Sequence, residues 1–254
     1  MTMGTYMNDS THEARINEGF VTMTAALMEP YDVVDLLSTL LDTCVNLMGV
    51  EAGGILIADA TGALELVAST SEESVVVETM VIAAGAGPCF DSFTTGAAVL
   101  VPDIETDAGA WPRFQATALQ QGFRSAHVLP MRIRGEIIGV MNLMGTSAGV
   151  PSGTDAAVAQ SLADVATLGI MQERNFRHPQ AIVMQLHHAL DTRILIEQAK
   201  GVMSQSENFT MNEAFTALRL YARASATTLR EVARGVVTRD IPTADVAAVL
   251  TSRA

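Results

Sequence analysis

The chain has 254 residues, a formal net charge of −13 and 49% hydrophobic residues, which suits a folded protein with one large domain or two smaller ones. Its two cysteines are too few for a disulfide scaffold, and no Cys and His residues have the paired spacing of a metal site. The polar first 19 residues do not resemble a secretory signal, and no apolar run reaches the roughly 18 residues of a membrane span. We therefore expect a cytoplasmic protein with no membrane partner.

The charge is unevenly distributed along the chain. Residues 1–178 contain seven basic and 21 acidic residues, whereas residues 193–239 contain seven basic and four acidic residues. The only lysine, Lys200, lies in the second segment. Because net charge reports on association rather than on fold, the asymmetry predicts two parts with different partners. The basic part is a candidate for binding nucleic acid.

The sequence predicts a disordered segment at the start of the chain and then two helices. We expect residues 1–13 to be disordered. A helix over Ala14–Met28 ends before Glu29-Pro30, because the residue before a proline is disfavoured in helices. The segment Tyr31–Met48 has apolar residues at helical spacing and ends at Gly49, which predicts a second helix with a broad buried face.

The middle of the chain has the shorter apolar period of β-strands. Short helices over Glu73–Met80 and Arg113–Gln121 fit between these strands, and Thr154–Arg174 returns to a helical period. Helices that flank strands joined by hairpins predict an α+β fold with a mostly antiparallel central sheet. The five predicted strands are Gly53–Ala58, Ala63–Ala68, Ala97–Val101, Ala126–Met131 and Ile137–Leu143.

A helical linker is expected over residues 175–188. After a short break, its helix begins at about Pro179 and continues to Met203. Its apolar stripe has nearly the 3.5-residue period of a coiled coil, which predicts that two chains pair into a homodimer. The stripe consists of Ile182, Leu186, Ala189, Ile196, Ala199 and Met203.

Two further helices are predicted by capping boxes, in which Thr210 pairs with Glu213 and Thr228 with Glu231. Each helix has only a narrow apolar face and would not be stable alone in water. We therefore expect a three-helix bundle over residues 189–240, followed by a tail over residues 241–254 in which Thr243 begins a short helix.

Most basic residues of this bundle lie off the apolar faces. Arginines at i,i+4 spacing either form a solvated helix surface or bind nucleic acid, and Tyr221 is the one aromatic residue that could stack on a base there. The candidate RNA-binding residues are Lys200, Arg219, Tyr221, Arg223, Arg230 and Arg234.

The same segment resembles a known family. It contains Ile-x-x-Ala-Lys-Gly-x-Met at Ile196–Met203, Glu-Ala-Phe-x-x-Leu-Arg-x-x-Ala at Glu213–Ala222 and Leu-x-x-Val-Ala-x-x-Val at Leu229–Val236. This pattern is similar to the ANTAR domain, an RNA-binding antitermination module. The resemblance implies a dimeric three-helix bundle that binds paired hairpins in a nascent leader RNA and prevents a terminator from forming. Lys200, Arg219 and Arg230 match basic positions of the family pattern.

Residues 14–174 resemble a GAF domain, of the kind joined to ANTAR modules in actinobacterial regulators. The resemblance implies a sheet with a cup on one face, where a small ligand could bind or side chains could pack. Nothing in the sequence requires a cofactor, and the sequence does not identify a ligand. The matching segments are Tyr31–Leu37, Gly87–Asp91, Thr95-Gly96, Val101–Asp103, Trp111–Phe114, Gly122–Ser125 and Gly135–Leu143.

Three residues of this domain are candidates for ligand or redox sensing. Cys89 follows Gly87-Pro88, where a helix N-terminus could stabilise a thiolate; the alternative is a small buried side chain. Trp111 is a candidate lid or plug of the cup. His127 precedes a strand core, where a hydrogen-bonded structural histidine is the alternative to a ligand contact.

The function favoured by the sequence is a signal-responsive, RNA-binding transcription antitermination regulator without catalytic activity. One alternative is a GAF-based redox sensor, ligand sensor or enzyme whose helical C-terminal part only dimerises. A methionine sulfoxide reductase would need cooperating cysteines, whereas Cys44 lies in the apolar pattern of a helix. A third possibility is that the same basic helices bind DNA.

Overall fold

The computed structural model describes residues 3–28, 33–59, 61–172, 179–225 and 227–251. The elements of the sheet domain are α1 Met3–Met28, α2 Val33–Met48, β1 Ala52–Ala58, β2 Leu64–Ser69, α3 Glu72–Ala84, α4 Pro88–Thr95, β3 Val99–Val101, α5 Ile104–Asp107, α6 Pro112–Gln120, β4 Ser125–Ile133, β5 Glu136–Gly145 and α7 Gly153–Gln172. The remaining helices are α8 Pro179–Glu207, α9 Met211–Ala224, α10 Leu229–Thr238 and α11 Thr243–Thr251.

The five strands form one antiparallel sheet in the order β2-β1-β5-β4-β3. Two tight turns fix the hairpins. Asp59 Oδ1 accepts hydrogen bonds from the amides of Thr61 and Ala63 between β1 and β2. Arg134 and Gly135 both have positive φ between β4 and β5, as a two-residue type I′ hairpin requires. The α+β fold and the five strands predicted from the sequence are confirmed.

Helices cover both faces of the sheet. On the first face, α2 packs Leu37 and Leu41 against strand residues such as Ile55 and Leu143, and α1 and α7 extend this layer. On the second face, α3 to α6 cover residues such as Val140. Successive residues of a strand point to opposite faces, which explains why β5, buried on both faces, is apolar almost throughout.

The C-terminal helices form a bundle around the end of α8. Ile196, Ala199 and Met203 are buried, at 3% exposure or less, against apolar residues of α9 and α10. Both predicted capping boxes are present, since Glu213 and Glu231 each accept a hydrogen bond from the backbone of their capping threonine. The core of the bundle is continuous with the core on the first face of the sheet.

Several elements differ from the sequence prediction. The first helix begins at Met3, within the segment expected to be disordered. The short helices α4 and α5 were not predicted, because neither is long enough to show a helical period. The short helix predicted from Thr243 is present as α11, but it packs on the bundle, since its Val246 is fully buried in the bundle core.

The predicted coiled-coil stripe lies only partly among the described side chains. Its first three residues, Ile182, Leu186 and Ala189, have side chains outside the described residues. Its last three are buried within the bundle of the same chain, so they cannot form the seam between two chains. No single helix in the described ranges is long and apolar enough to cross a membrane; α3 and α4 would pass that test only if combined across their 63° bend.

Gly139 is the glycine of the sheet with the least space for a side chain, so we expect it not to tolerate substitution. A Cβ atom on Gly139 of β5 would lie 2.3 Å from the carbonyl oxygen of Leu56 on β1, so the two strands would have to separate. We expect Gly139→Ala to lower the free energy of unfolding by about 1–3 kcal/mol, the usual cost of overpacking. Urea unfolding measures this change. Gly109→Ala is the control, because nothing lies within 4 Å of its Cβ position; equal effects of both substitutions would contradict the prediction.

Candidate functional site

Lys200 is buried between the bundle and the sheet domain, with 5% of its surface exposed. Its Nζ atom lies 2.6 Å from Glu72 Oε1 and 3.0 Å from both carboxylate oxygens of Glu197. Glu197 belongs to α8, whereas Glu72 is the first residue of α3 in the sheet domain. An ammonium group is costly to bury unless it is paired. The two carboxylates compensate this cost and make the cluster net negative.

Arg219 of α9 makes a second contact between the two parts of the chain. Its guanidinium forms an ion pair with Asp42 of α2, and 17% of its side chain is exposed. The ring of Phe215 lies near both cations, with its centroid 5.7 Å from Lys200 Nζ and 5.6 Å from Arg219 Cζ. Both distances are within the range of cation–π attraction, so one aromatic ring helps to position both charges.

A third contact involves the start of α10. The amide of Leu229 donates a hydrogen bond of 3.2 Å to Asp35 Oδ2. The first amides of a helix have no partner within the helix, so the carboxylate of Asp35 satisfies one of them. Asp35 and Asp42 lie two helical turns apart, on the same face of α2. We call the contacts of Glu72, Asp42 and Asp35 with the bundle the domain junction.

The other predicted RNA-binding residues are less involved in this junction. Arg234 is exposed and makes no ion pair within the described part of the chain. Arg230 is half-buried and has a partner. Tyr221 is half-buried and packs against the bundle core, so only part of its ring is available for stacking. The side chain of Arg223 lies outside the described residues.

The core on the second face of the sheet contains a buried carboxyl group. Glu78 of α3 is fully buried, and its Oε1 accepts a hydrogen bond of 2.7 Å from Asn142 Nδ2. Its Oε2 accepts one of 3.6 Å from Cys89 Sγ. Burial raises the pKa of Glu78 to about 7, because desolvation of the carboxylate outweighs the stabilising effect of both hydrogen bonds. We call these three residues the Glu78 cluster.

The surroundings of Cys89 disfavour a reactive thiolate. The residue lies in the first turn of α4, where a helix dipole would stabilise negative charge. However, burial and then the nearby Glu78 carboxylate raise the pKa of Cys89 well above its ordinary value. Oxidation proceeds through the thiolate, so the structure favours the alternative of a small buried side chain. Cys44 lies on the other side of the sheet, where burial raises its pKa to about 12.

Trp111 and His127 lie on opposite faces of the sheet. Trp111 Nε1 donates a hydrogen bond of 3.2 Å to Asp91 Oδ2, and its ring contacts Phe114 edge to face, so it joins α4 to α6 over the second face. His127 pairs with Leu143, which packs into the core of the first face. The three candidate sensing residues therefore do not form one site.

His127 differs from an ordinary hydrogen-bonded core histidine. It is 7% exposed, and its Nδ1 atom is buried without a hydrogen-bond partner in the described ranges. Burial lowers the pKa of His127, so the imidazole is neutral at pH 7. A buried polar atom without a partner typically costs about 1–3 kcal/mol.

Sequence analysis missed Glu78 and Asn142 of the Glu78 cluster and the carboxylates of the domain junction. Glu78 and Asn142 could have been found, because each interrupts an apolar segment at a position on the buried side of its element. The carboxylates of the domain junction come from distant parts of the chain, and no local pattern marks them. No group of three or more His, Cys, Asp or Glu residues that could hold a metal occurs in the ranges described above.

The pKa of Glu78 predicts a specific pH dependence of stability. Between its ordinary pKa of 4.5 and its folded value of about 7, the unfolded carboxyl loses its proton while the folded one keeps it, so rising pH favours unfolding. Glu78→Gln removes this effect. We expect the variant to gain roughly 2–3 kcal/mol relative to the parent between pH 5 and pH 8. Urea unfolding of both proteins at the two pH values measures this difference, and a pH-independent difference would contradict the prediction.

Comparison with known proteins agrees with this two-part architecture. The GAF domain family matches residues 31–171 and the ANTAR domain family matches residues 184–237. No curated protein sequence matches this chain.

Solved structures of low identity resemble the sheet domain. The GAF domain of A. aeolicus nlh2 in an inactive state is 14% identical, with a TM-score of 0.48 over 64% of this chain and 99% of that one. The GAF domain of the cyanobacteriochrome TePixJ is 20% identical, with a TM-score of 0.47 over 57% and 93%. Free methionine-R-sulfoxide reductase from Neisseria meningitidis is 19% identical, with a TM-score of 0.46 over 61% and 87%.

At these identities and TM-scores, the similarity does not indicate which ligand or activity this chain has. The match over residues 31–171 spans more than half of the 254 residues, and the second match follows it along the chain. The chain therefore belongs to the GAF domain family and combines its GAF domain with an ANTAR domain.

Proposed function

We propose that this protein is a signal-responsive RNA-binding regulator of transcription antitermination, in which the GAF domain controls access to the RNA-binding face of the ANTAR domain. The observation that carries this proposal is the domain junction. Lys200 and Arg219, two basic positions of the ANTAR pattern, are both paired with carboxylates of the GAF domain. An ANTAR domain that binds RNA through these cations must first exchange these partners.

The exchange is a competition between carboxylates and phosphates. RNA affinity depends strongly on the number of phosphates that cations neutralise, and a cation paired with Glu72 or Asp42 is not available for this. The closed arrangement of the two domains therefore has weak RNA affinity. An arrangement in which α8 to α10 leave α2 and α3 frees both cations, and a signal favours it only by binding the two arrangements with different affinity.

The open arrangement presents a larger basic face. Arg234 is already exposed on α10, and the sequence pattern adds Arg223 and Arg230 as further candidate RNA contacts. We propose that two chains associate through the part of α8 that precedes Ile196, so that two such faces bind paired hairpins in a nascent leader RNA and prevent a terminator from forming. The protein then acts in the cytoplasm and has no catalytic step.

The first experiment tests whether Glu72 competes with RNA. We expect Glu72→Gln to raise RNA affinity about threefold to tenfold, since a half-exposed ion pair contributes on the order of 1 kcal/mol. The probe is an RNA pool with two tandem stem-loops and randomised loops, and fluorescence anisotropy measures affinity. Glu73→Gln is the matched control, because it removes the same charge from the neighbouring exposed residue of α3. Equal effects of both variants would contradict masking by Glu72.

A second experiment tests whether the released cation contacts RNA. In the Glu72→Gln background, we expect Lys200→Ala to lower affinity for the RNA pool and to reduce the slope of log affinity against log salt concentration by about one phosphate contact. If the affinity is unchanged or higher, Lys200 does not contact RNA and its assignment to the RNA-binding face is wrong. Duplex DNA with the stem sequences serves as competitor. If DNA displaces the protein as well as RNA does, a DNA-binding function is favoured. If the protein binds neither RNA nor DNA, a bundle that only dimerises is favoured.

A further inference from the structure

We propose that the GAF domain binds a small uncharged or singly positive molecule in the cavity around His127, through a planar amide-like or amidine-like group. This cavity lies on the first face of the sheet, opposite the Glu78 cluster. Its volume is about 210 Å³, and it is bounded by the C-terminal end of α2, the ends of β3 to β5 and the loop at residues 147–151.

The cavity is lined by both apolar and polar residues, and the polar ones are Glu51, Ser125, His127 and Ser147. Leu100, His127 and Leu143 are directly paired on adjacent strands and therefore share one face. Val150 of the loop also lines the cavity. A neutral imidazole has one donor and one acceptor nitrogen. Nδ1 of His127 has no partner within the described residues and is covered by neighbouring atoms, so a ligand with a hydrogen-bonding edge satisfies the imidazole once those atoms shift.

The charge around the cavity selects the type of ligand. Glu51 lines it, whereas neither lysine nor arginine does. Glu51 Oε2 accepts a hydrogen bond of 2.7 Å from the amide of Thr146, which holds the carboxylate beside the loop. The C-terminal end of α2 adds the partial negative charge of its last carbonyl groups. An anionic ligand would be repelled, whereas a neutral or positive group fits both His127 and Glu51.

The size of the cavity limits the ligand as well. At about 210 Å³ it is smaller than the roughly 300–1,000 Å³ of sites that hold drug-sized molecules. Leu100 and Val150 are 43% and 60% exposed, so apolar surface at the rim is available for an aromatic or aliphatic body. A single ring with one polar substituent has the matching size and polarity.

The position of the cavity connects it to the domain junction. Met48, Gly49 and Val50 at the end of α2 line the cavity, and the same helix carries Asp42 and Asp35. A ligand that shifts α2 would alter the pairing of Asp42 with Arg219. This consequence rests on the proposed function, whereas the binding site itself does not.

Three probes of nearly equal size and shape test the site: benzamide, benzamidine and benzoate. In a ¹H–¹⁵N NMR titration of the full-length protein, we expect benzamidine and benzamide to bind with roughly millimolar affinity, a usual range for such small ligands. Amides of residues 49–51, 100, 125–127 and 147–150 should shift. Benzoate should bind at least about tenfold more weakly because of its charge. Binding of benzoate as tight as that of benzamidine, or shifts confined to Glu78, Cys89 and Asn142, would overturn the proposal.

Two variants test the role of His127. His127→Phe keeps a ring of similar size but has no hydrogen-bonding nitrogen, so we expect it to lose binding of benzamide. His127→Gln retains a donor and an acceptor, so it should retain measurable binding. The control His12→Gln changes a histidine that contacts Asp155 instead and should bind like the parent. Because the parent titration needs no variant, absence of shifts at the cavity overturns the proposal even if His127→Phe does not fold.

Discussion

The pairing of Lys200 with carboxylates from both domains is the interaction on which the arrangement of this protein depends. A buried ammonium group is stable only where partners replace its lost hydration. Glu197 comes from the same helix and could accompany Lys200 in any arrangement, whereas Glu72 is available only when the ANTAR bundle lies against the GAF domain. The ion pair with Glu72 therefore distinguishes the closed arrangement from an open one. The shared apolar core holds the domains together, and the ion pairs determine how they are aligned.

This alignment accounts for the uneven charge of the chain. The GAF domain is strongly acidic and the ANTAR segment is basic, and the two meet through Asp35, Asp42 and Glu72. A net charge of −13 repels nucleic acid at long range, so RNA binding by this chain requires local exposure of the basic surface. In the proposed function, the charge distribution thus makes domain separation and RNA affinity interdependent. It also means that low salt, which strengthens RNA binding, strengthens the competing ion pairs as well.

The local features of the fold could be predicted from the sequence, and the long-range features could not. Apolar periodicity, turn residues and capping boxes identified all five strands, most helices and the starts of α9 and α10, because each of these signals acts within a few residues. The pairs of Lys200 with Glu72 and of Arg219 with Asp42 join residues more than a hundred positions apart, and only the folded chain brings them together. Residue type alone left two readings of Cys89, a thiolate at a helix N-terminus and a small buried side chain; its burial beside Glu78, which raises its pKa, favours the second.

Two helices connect the faces of the sheet to different ion pairs of the junction. Helix α3 carries Glu78 in the core of the second face and Glu72 at its N-terminus, while α2 borders the His127 cavity and carries Asp42. A helix of this length moves as a nearly rigid element, because every turn is held by backbone hydrogen bonds. Displacement of α3 therefore acts on Lys200, and displacement of α2 acts on Arg219. Since Phe215 contacts both cations, the two contacts are not independent, and loss of one ion pair weakens the position of the other.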